Sequence, residues 1–458
     1  MTDKVYVVTD LGVGDGGKGG VVHAVATKLR AHTVIKRGGA QGSHGVHTSR
    51  GEKFAFSQWG CGTFEGIPTH LSEQMVVSPE GLLNEASTLR YGHGLTNVFD
   101  LLTVDEAALC TTPFHGISSR LKELARGSNP RGTVGTGVGE AYRNFGKYPE
   151  LAIKAGDLQG PRLREQLAAI RERVRKELQP LLDGEFLAGD QVAAAEEIAL
   201  LGDDGFLNHV VARFEEAGRL ANIVGSDYLG NEILSRKGIA VVETSHGVLS
   251  DRLVGFHPHT SAIRTLPRFT RDMLERAGYD GQIVNLGVTR AYAIRHGAGP
   301  MPTIDSRMTE NLLPNSNKDE NRYQGAVRVG PLDFVMLRYA LAACGGPSVF
   351  DGLAMTWFDQ IQTNKVWKWC DRYVDADDSD YFSPSGEIRL NQGGDLAHQE
   401  LLGEKLLSCR PEISTMPIDL AASPAELYAT CEQVVQDALG VAVRMMSFGP
   451  TELDKFYR

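Results

Sequence analysis

Two glycine-rich stretches in the first fifty residues hold the densest chemistry of the chain. The first, Gly12-Val13-Gly14-Asp15-Gly16-Gly17-Lys18-Gly19-Gly20, sets one carboxylate and one amine among six glycines. Gly12 to Lys18 fits the spacing G-x-x-x-x-G-K, in which backbone N–H groups and a lysine cradle phosphate. The next residue is Gly19, where such a loop ordinarily carries the Ser or Thr that holds magnesium. Another group must then ligate the metal, and Asp15 is the candidate. A general base or a turn-stabilising carboxylate are the other readings of Asp15. A plain strand-to-helix turn also uses glycine for positive φ, but six of them around one Asp and one Lys favour a phosphate site. The second stretch, Arg37-Gly38-Gly39-Ala40-Gln41-Gly42-Ser43-His44-Gly45, places His44 on a glycine-rich turn. An imidazole there can give a hydrogen bond or a proton to developing phosphate charge.

Both stretches need strands to aim them. Val5, Val7 and Val8 lead into the first loop and an alanine- and valine-rich segment follows it, so strand, loop and helix present a row of N–H groups to an anion. Thr33–Ile35 leads into the second. Further apolar runs lie at Ile239–Val242, Ile283–Ile294 (with interruptions), Leu353–Trp357 and Val441–Met446. Several are apolar at nearly every position, the pattern of parallel strands covered on both faces, where ligands bind at carboxyl ends. Leu163, Leu167, Ile170, Val174 and Leu178 predict a helix from Pro161 that ends before Pro180. Helical patterns at Asp190–Leu201 and through Leu207 to Leu220 follow it without an intervening strand. Ser423-Pro424-Ala425-Glu426 is a capping box that opens a helix ending at Gly440. The expectation is one α/β domain over 1–458, a mainly parallel central sheet flanked by helices, with a helical insertion at about 161–222.

Composition narrows the function. With 42% hydrophobic and 23% charged residues the 458-residue chain can bury a substantial core. A net charge of −10 argues against a broad nucleic-acid or anionic-membrane surface, though not against a local pocket for a phosphorylated ligand. Six scattered cysteines without a C-x-x-C pair fit free thiols in a reducing compartment. No signal peptide or apolar spanning run is present, so the expected location is the cytoplasm.

These motifs resemble adenylosuccinate synthetase, the GTP-dependent ligase family that joins aspartate to inosine monophosphate (IMP). Gly14-Asp15-Gly16-Gly17-Lys18-Gly19-Gly20 is similar to its G-D-E-G-K-G-K loop, and Gly38 to Gly45 to its G-G-x-N-A-G-H-T. Matches continue along nearly the whole chain. Gly132-Thr133-Val134-Gly135-Thr136 resembles a phosphate-contacting segment, and Glu243-Thr244-Ser245-His246-Gly247 stands where the family has E-G-A-Q-G. Phe256 to Ser261 is similar to T-Y-P-Y-V-T, and Arg290 to Thr303 to K-A-Y-S-T-R-V-G-A-G-P-F-P-T. Val329 to Asp333 resembles T-G-W-L-D, Thr356-Trp357-Phe358-Asp359 occupies the T-K-L-D position, and Ser447-Phe448-Gly449-Pro450 resembles S-T-G-P.

The resemblance implies a P-loop-related fold with GTP as co-substrate, Mg²⁺ as cofactor and a homodimer. It implies that Asp15 takes the purine N1 proton and that His44 stabilises the transferring phosphoryl group. Gly14, Gly16, Gly17, Lys18, Gly19, Asp359, Ser447, Gly449 and Pro450 would bind GTP. Gln41, Thr133, Val134, His246 and Ser261 would bind the purine nucleotide, and Asp15 with Ser43 the metal. Arg322 and Arg328 are what remains of the arginine-rich loop for the amine donor, which in the family reads T-T-G-R-R-R-R. Two substrate carboxylates would favour several bidentate arginines, so this loss leaves the amine open. Gln41 replaces an Asn, His246 a Gln and Trp357 a Lys. Changes concentrate on the purine and amine side while Asp15, Lys18, His44 and Asp359 persist. The expected function is therefore IMP–aspartate ligation in purine biosynthesis. The alternatives are a paralogous ligase for another purine nucleotide (deoxyguanylate in a viral branch, where the loop Asp is replaced) or another amine, and a non-catalytic GTP-binding member.

Overall fold

The computed structural model describes residues 1–182, 190–315, 322–391, 394–419 and 421–458. At its centre is an 11-stranded sheet. The strand Lys4–Asp10 lies in the middle, parallel to Gln282–Arg290 on one side and Ile239–Gly247 on the other. Beyond Gln282–Arg290 the sheet continues through Gly352–Thr356 and Val443–Ser447 to an antiparallel edge, Lys455–Tyr457. Beyond Ile239–Gly247 it runs through Thr33–Gly39, Thr69–Val77, Leu102–Asp105 and Asn222–Val224, all parallel, with Leu109–Cys110 also paired to Thr69–Val77. Helices cover both faces. Val8 packs into the apolar cluster on one side of the first strand, and Val5 and Val7 into the cluster on the other. That is why these runs read as continuously apolar rather than alternating.

Helices Leu163–Leu182, Gln191–Gly202 and Asp204–Leu220 succeed one another between Leu109–Cys110 and Asn222–Val224, as the insertion reading expects. Residues 183–189 of that insertion lie outside the described residues. The stripe Leu163, Leu167, Ile170, Val174 and Leu178 is buried in the main core. The first helix does not stop before Pro180; it carries the proline inside and runs to Leu182. Pro180 is exposed, and buried Leu178 anchors the last turn. The carbonyl of Lys176 that loses its donor belongs to an exposed residue, where water replaces the missing bond. The Ile283–Ile294 run also divides. Gln282–Arg290 stays in the main sheet, while Ala293–His296 pairs antiparallel with Val327–Gly330. The capping box at Ser423 and Glu426 forms, and Gly440 ends that helix at φ 67.

Candidate functional site

The carboxyl ends of six parallel strands meet at one place: Asp10, Gly39, Gly247, Arg290, Thr356 and Ser447 each close a strand there. Open α/β sheets bind ligands at such ends because loops and helix N-termini gather there. The glycine loop leaves from the central strand. Asp10 is fully buried, and its carboxylate accepts the N–H groups of Gly12 and Gly16, both at 2.8 Å, and the Lys18 ammonium at 3.1 Å. Lys18 also donates to the His246 carbonyl at 2.7 Å, tying the first strand's loop to the end of the neighbouring strand. Thr356 Oγ1 donates to the Gly16 carbonyl at 2.7 Å, and Arg290 Nε to the Asp15 carbonyl at 2.5 Å. Asp15 itself sits at φ 60, a left-handed conformation that these neighbours hold in place.

Gly17 caps the helix Lys18–Lys28 at φ 89. A Cβ on Gly19 would stand 2.3 Å from the Gly45 carbonyl oxygen, so glycine there lets the His44 turn lie directly on the helix start. His44 is buried, with Nδ1 2.6 Å from Glu243 Oε1. Burial lowers the His44 pKa despite that carboxylate, so the ring is neutral and donates from Nδ1 to Glu243. Glu243 also accepts the Cys61 N–H at 2.9 Å and lies 3.1 Å from the Lys36 ammonium. Burial works against its charge, but Lys36 and His44 prevail and hold it well below the usual carboxylate range. Ligand atoms of His44, Cys61 and Glu243 lie within 4.8 Å of one another, yet the Lys36 ammonium already supplies the positive charge that a cation would bring.

Of the residues expected to bind the purine nucleotide, Gln41 and His246 meet, their Nε2 atoms 2.7 Å apart. Burial and the Lys18 charge lower His246 to about 4, so its Nε2 accepts from the Gln41 amide and Nδ1 carries the proton. The Gly132–Gly137 loop lies against other segments. A Cβ on Gly132 would meet Ala298 and Gln324, and His259 Nδ1 lies 3.1 Å from the Arg131 carbonyl. Thr133 Oγ1 bonds Ser119 Oγ at 2.9 Å and the Gly135 N–H at 3.1 Å, whereas the Val134 side chain is exposed. Ser261 Oγ accepts the Ile263 N–H at 3.1 Å. Ser43 is exposed beside His44. Arg322 and Arg328, expected at the amine donor, hold groups of the chain itself. Arg328 donates to the Gly297 and Gly299 carbonyls at 2.6 and 2.8 Å, and half-exposed Arg322 lies 3.5 Å from Asp190.

Across the sheet, Asp359 stands in the first turn of Phe358–Asn364 and accepts from Gln360 Nε2 at 2.7 Å. Phe358, Phe448 and Phe456 form an aromatic chain with centroids 5.6 and 5.5 Å apart, which joins that helix to the Ser447–Pro450 turn. Trp357, at φ 66, lies under the Arg290 guanidinium at 4.1 Å. A metal at this site would find hard oxygen donors in Asp15 and Ser43, the kind magnesium takes, and neither lies in the nitrogen- and sulfur-rich His44 cluster.

Sequence reasoning passed over Asp10, Lys36 and Lys455, and gave Arg290 and Glu243 no role. Asp10 and Lys36 did leave a signal, since each is a charge that closely follows a short apolar run, Val7–Val8 and Val34–Ile35. Among the described residues no helix is long and apolar enough to cross a membrane.

A sequence model of the adenylosuccinate synthetase family matches residues 7–455. Adenylosuccinate synthetases of Neisseria meningitidis and Porphyromonas gingivalis are each 26% identical to the chain, covering 98% of it and 96% and 97% of the relative. Fully ligated adenylosuccinate synthetase from Plasmodium falciparum superposes with a TM-score of 0.73 at 16% identity, covering 99% of both chains. Succinoaminodeoxyadenylate synthetase of cyanophage S-2L, bound to dGMP and to dATP as an energy donor, superposes with a TM-score of 0.54 at 14% identity, covering 100% of this chain and 96% of that one. At those identities the two structures speak to the fold.

Proposed function

Since the chain belongs to the adenylosuccinate synthetase family, we propose that it is a GTP-dependent ligase that phosphorylates the 6-oxygen of IMP and joins L-aspartate at the same carbon. The observation that carries this reading is the placement of His44, neutral and fixed by Glu243, against the start of the helix that the Asp15–Lys18 loop opens. Asp15 removes the N1 proton, the 6-oxygen gains nucleophilic charge and attacks the γ-phosphorus, and the bond from that phosphorus to the β,γ-bridging oxygen breaks with GDP as the leaving group. Lys18, the loop N–H groups and His44 Nε2 stabilise the charge on the transferred phosphoryl group. Asp15 and Ser43 would hold magnesium, which would supply charge neutralisation on the phosphates. The amine then forms its bond to C6, the C6–O bond breaks with phosphate as leaving group, and the amine gives up a proton. Gln41, Thr133, Val134, His246 and Ser261 line the purine nucleotide site. Gly14, Gly16, Gly17, Lys18, Gly19, Asp359, Ser447, Gly449 and Pro450 take GTP. The working form is a cytoplasmic homodimer, one unit over 1–458.

A second reading keeps the chemistry and changes the amine. It is favoured by one observation: Arg328 and Arg322 hold chain groups rather than an open fork for two carboxylates. The test is incubation with GTP, Mg²⁺ and a panel of purine monophosphates and amino acids, with products read by mass. An adduct only from IMP and aspartate supports the first reading. An adduct with another amine or nucleotide supports the second, and none from any pair refutes both.

A further inference from the structure

Lys455 begins the edge strand beside the Ser447–Pro450 turn. It is 8% exposed, and among the described residues its ammonium makes one hydrogen bond, to the Gly449 carbonyl at 2.8 Å, and no carboxylate lies within ion-pair distance. A Cβ on Gly20 would lie 3.8 Å from that nitrogen, so the group sits over the first turn of the helix that follows the glycine loop. An ammonium has three donors, and burying it with one partner is unfavourable unless a ligand supplies the rest. Asp359, Asp454 and Glu452 are the charges that favour its protonated form; burial outweighs them and lowers its pKa to about 8. Asp454 already accepts from the Thr451 N–H and hydroxyl, and Glu452 turns to Ser49. Asp359 is the carboxylate left on the nucleotide side.

We propose that Lys455 is a base-specificity residue, donating to the 6-keto oxygen of the purine whose N1–H and 2-amino groups Asp359 accepts. The proposal rests on the reading of the Asp359 region as the site of the nucleoside triphosphate base. The Phe358–Phe448–Phe456 chain brings the residues next to Asp359 and Lys455 together, and a carboxylate and an ammonium at that corner match the acceptor–donor–donor edge of guanine. Adenine presents an amino group to the ammonium and a lone pair to the carboxylate, so both positions repel it. The same pairing explains how the site works with Trp357 in place of a lysine: the ammonium comes from the last strand instead.

The test is equilibrium binding of GDP, IDP and ADP to the full-length protein and to Lys455→Met, which keeps the stem and removes the charge. The wild type should prefer GDP and IDP over ADP. The substitution should weaken GDP and IDP by ~10- to 100-fold, the worth of one hydrogen bond to a charged group, while ADP holds or tightens because the ammonium that repels its amino group is gone. A measurement that needs no variant is 6-thio-GDP against GDP on the wild type, where the poor sulfur acceptor should cost about ten-fold. Equal losses for all three nucleotides, or 6-thio-GDP binding as tightly as GDP, would overturn the role of Lys455 alone. A wild type that binds ADP as well as GDP would overturn the guanine reading beneath it as well.

Discussion

Replacing Glu243 with glutamine tests the charge cluster that holds His44. In the fold Glu243 is fully buried and meets the Lys36 ammonium at 3.1 Å, His44 Nδ1 at 2.6 Å and the Cys61 N–H at 2.9 Å. Glu243→Gln leaves Lys36, also fully buried, with only the Ser57 and Trp59 carbonyls at 2.9 and 3.1 Å. Stranding one member of a buried ion pair costs about 3–5 kcal/mol. Lys36→Met strands the carboxylate instead and should cost a similar amount. The double variant strands neither, so its loss should be close to that of one single variant, a coupling of about 3–5 kcal/mol. Urea unfolding followed by tryptophan fluorescence reads these losses, with Trp59 buried beside the cluster. Turnover gives a second readout. Without the anionic acceptor His44 loses its fixed tautomer, and kcat should fall at least ~100-fold while nucleotide binding persists. Losses that add within about 0.5 kcal/mol would refute the buried pair. Full activity in the stable single variant would refute its control of His44.

Asp15→Ala should lower kcat by ~1,000-fold or more with GDP affinity retained, read by steady-state kinetics beside calorimetric binding, because it removes the base and leaves the cradle. Gly19→Ala places a Cβ 2.3 Å from the Gly45 oxygen, so thermal unfolding should show a loss of about 1–3 kcal/mol together with impaired turnover as His44 shifts. Burial lowers His70, His115 and His246 to about 4. The unfolded chain takes those protons near 6.5 and the folded chain does not, so stability is present above that window and lost as pH falls through it. Between pH 7.5 and 5 urea unfolding should show a loss of about 2 kcal/mol per histidine, and a stability unchanged at pH 5 would contradict their burial as neutral rings.

The parts of the site that were legible in the sequence are those where backbone conformation dictates residue type. Glycines around Asp15 and Lys18 are needed for the left-handed turns and for the close approach of the His44 turn, so they write the loop into the sequence. The continuously apolar strands were legible for a similar reason, since burial on both faces permits little else. What stayed hidden depends on contacts across the chain. Glu243 and Lys36 come from different strands, and only their adjacent places in the sheet pair them. Lys455 joins the Gly449 turn through an antiparallel edge strand that carries no motif. Pro180 misled because proline stops a helix only where its lost hydrogen bond and its ring cannot be accommodated, and an exposed last turn accommodates both. The division at Arg290 was invisible because the bond from its side chain to the Asp15 carbonyl joins residues 275 apart in the chain.

The measurement closest to the central claim follows the oxygen. IMP labelled with ¹⁸O at the 6-position is incubated with the protein, GTP, Mg²⁺ and aspartate, and the phosphate released is analysed by mass. Phosphorylation of the 6-oxygen by the Asp15 and His44 machinery predicts one ¹⁸O in each inorganic phosphate formed with adenylosuccinate. Product formed alongside unlabelled phosphate, or GTP cleaved with all the label still in IMP, would contradict it.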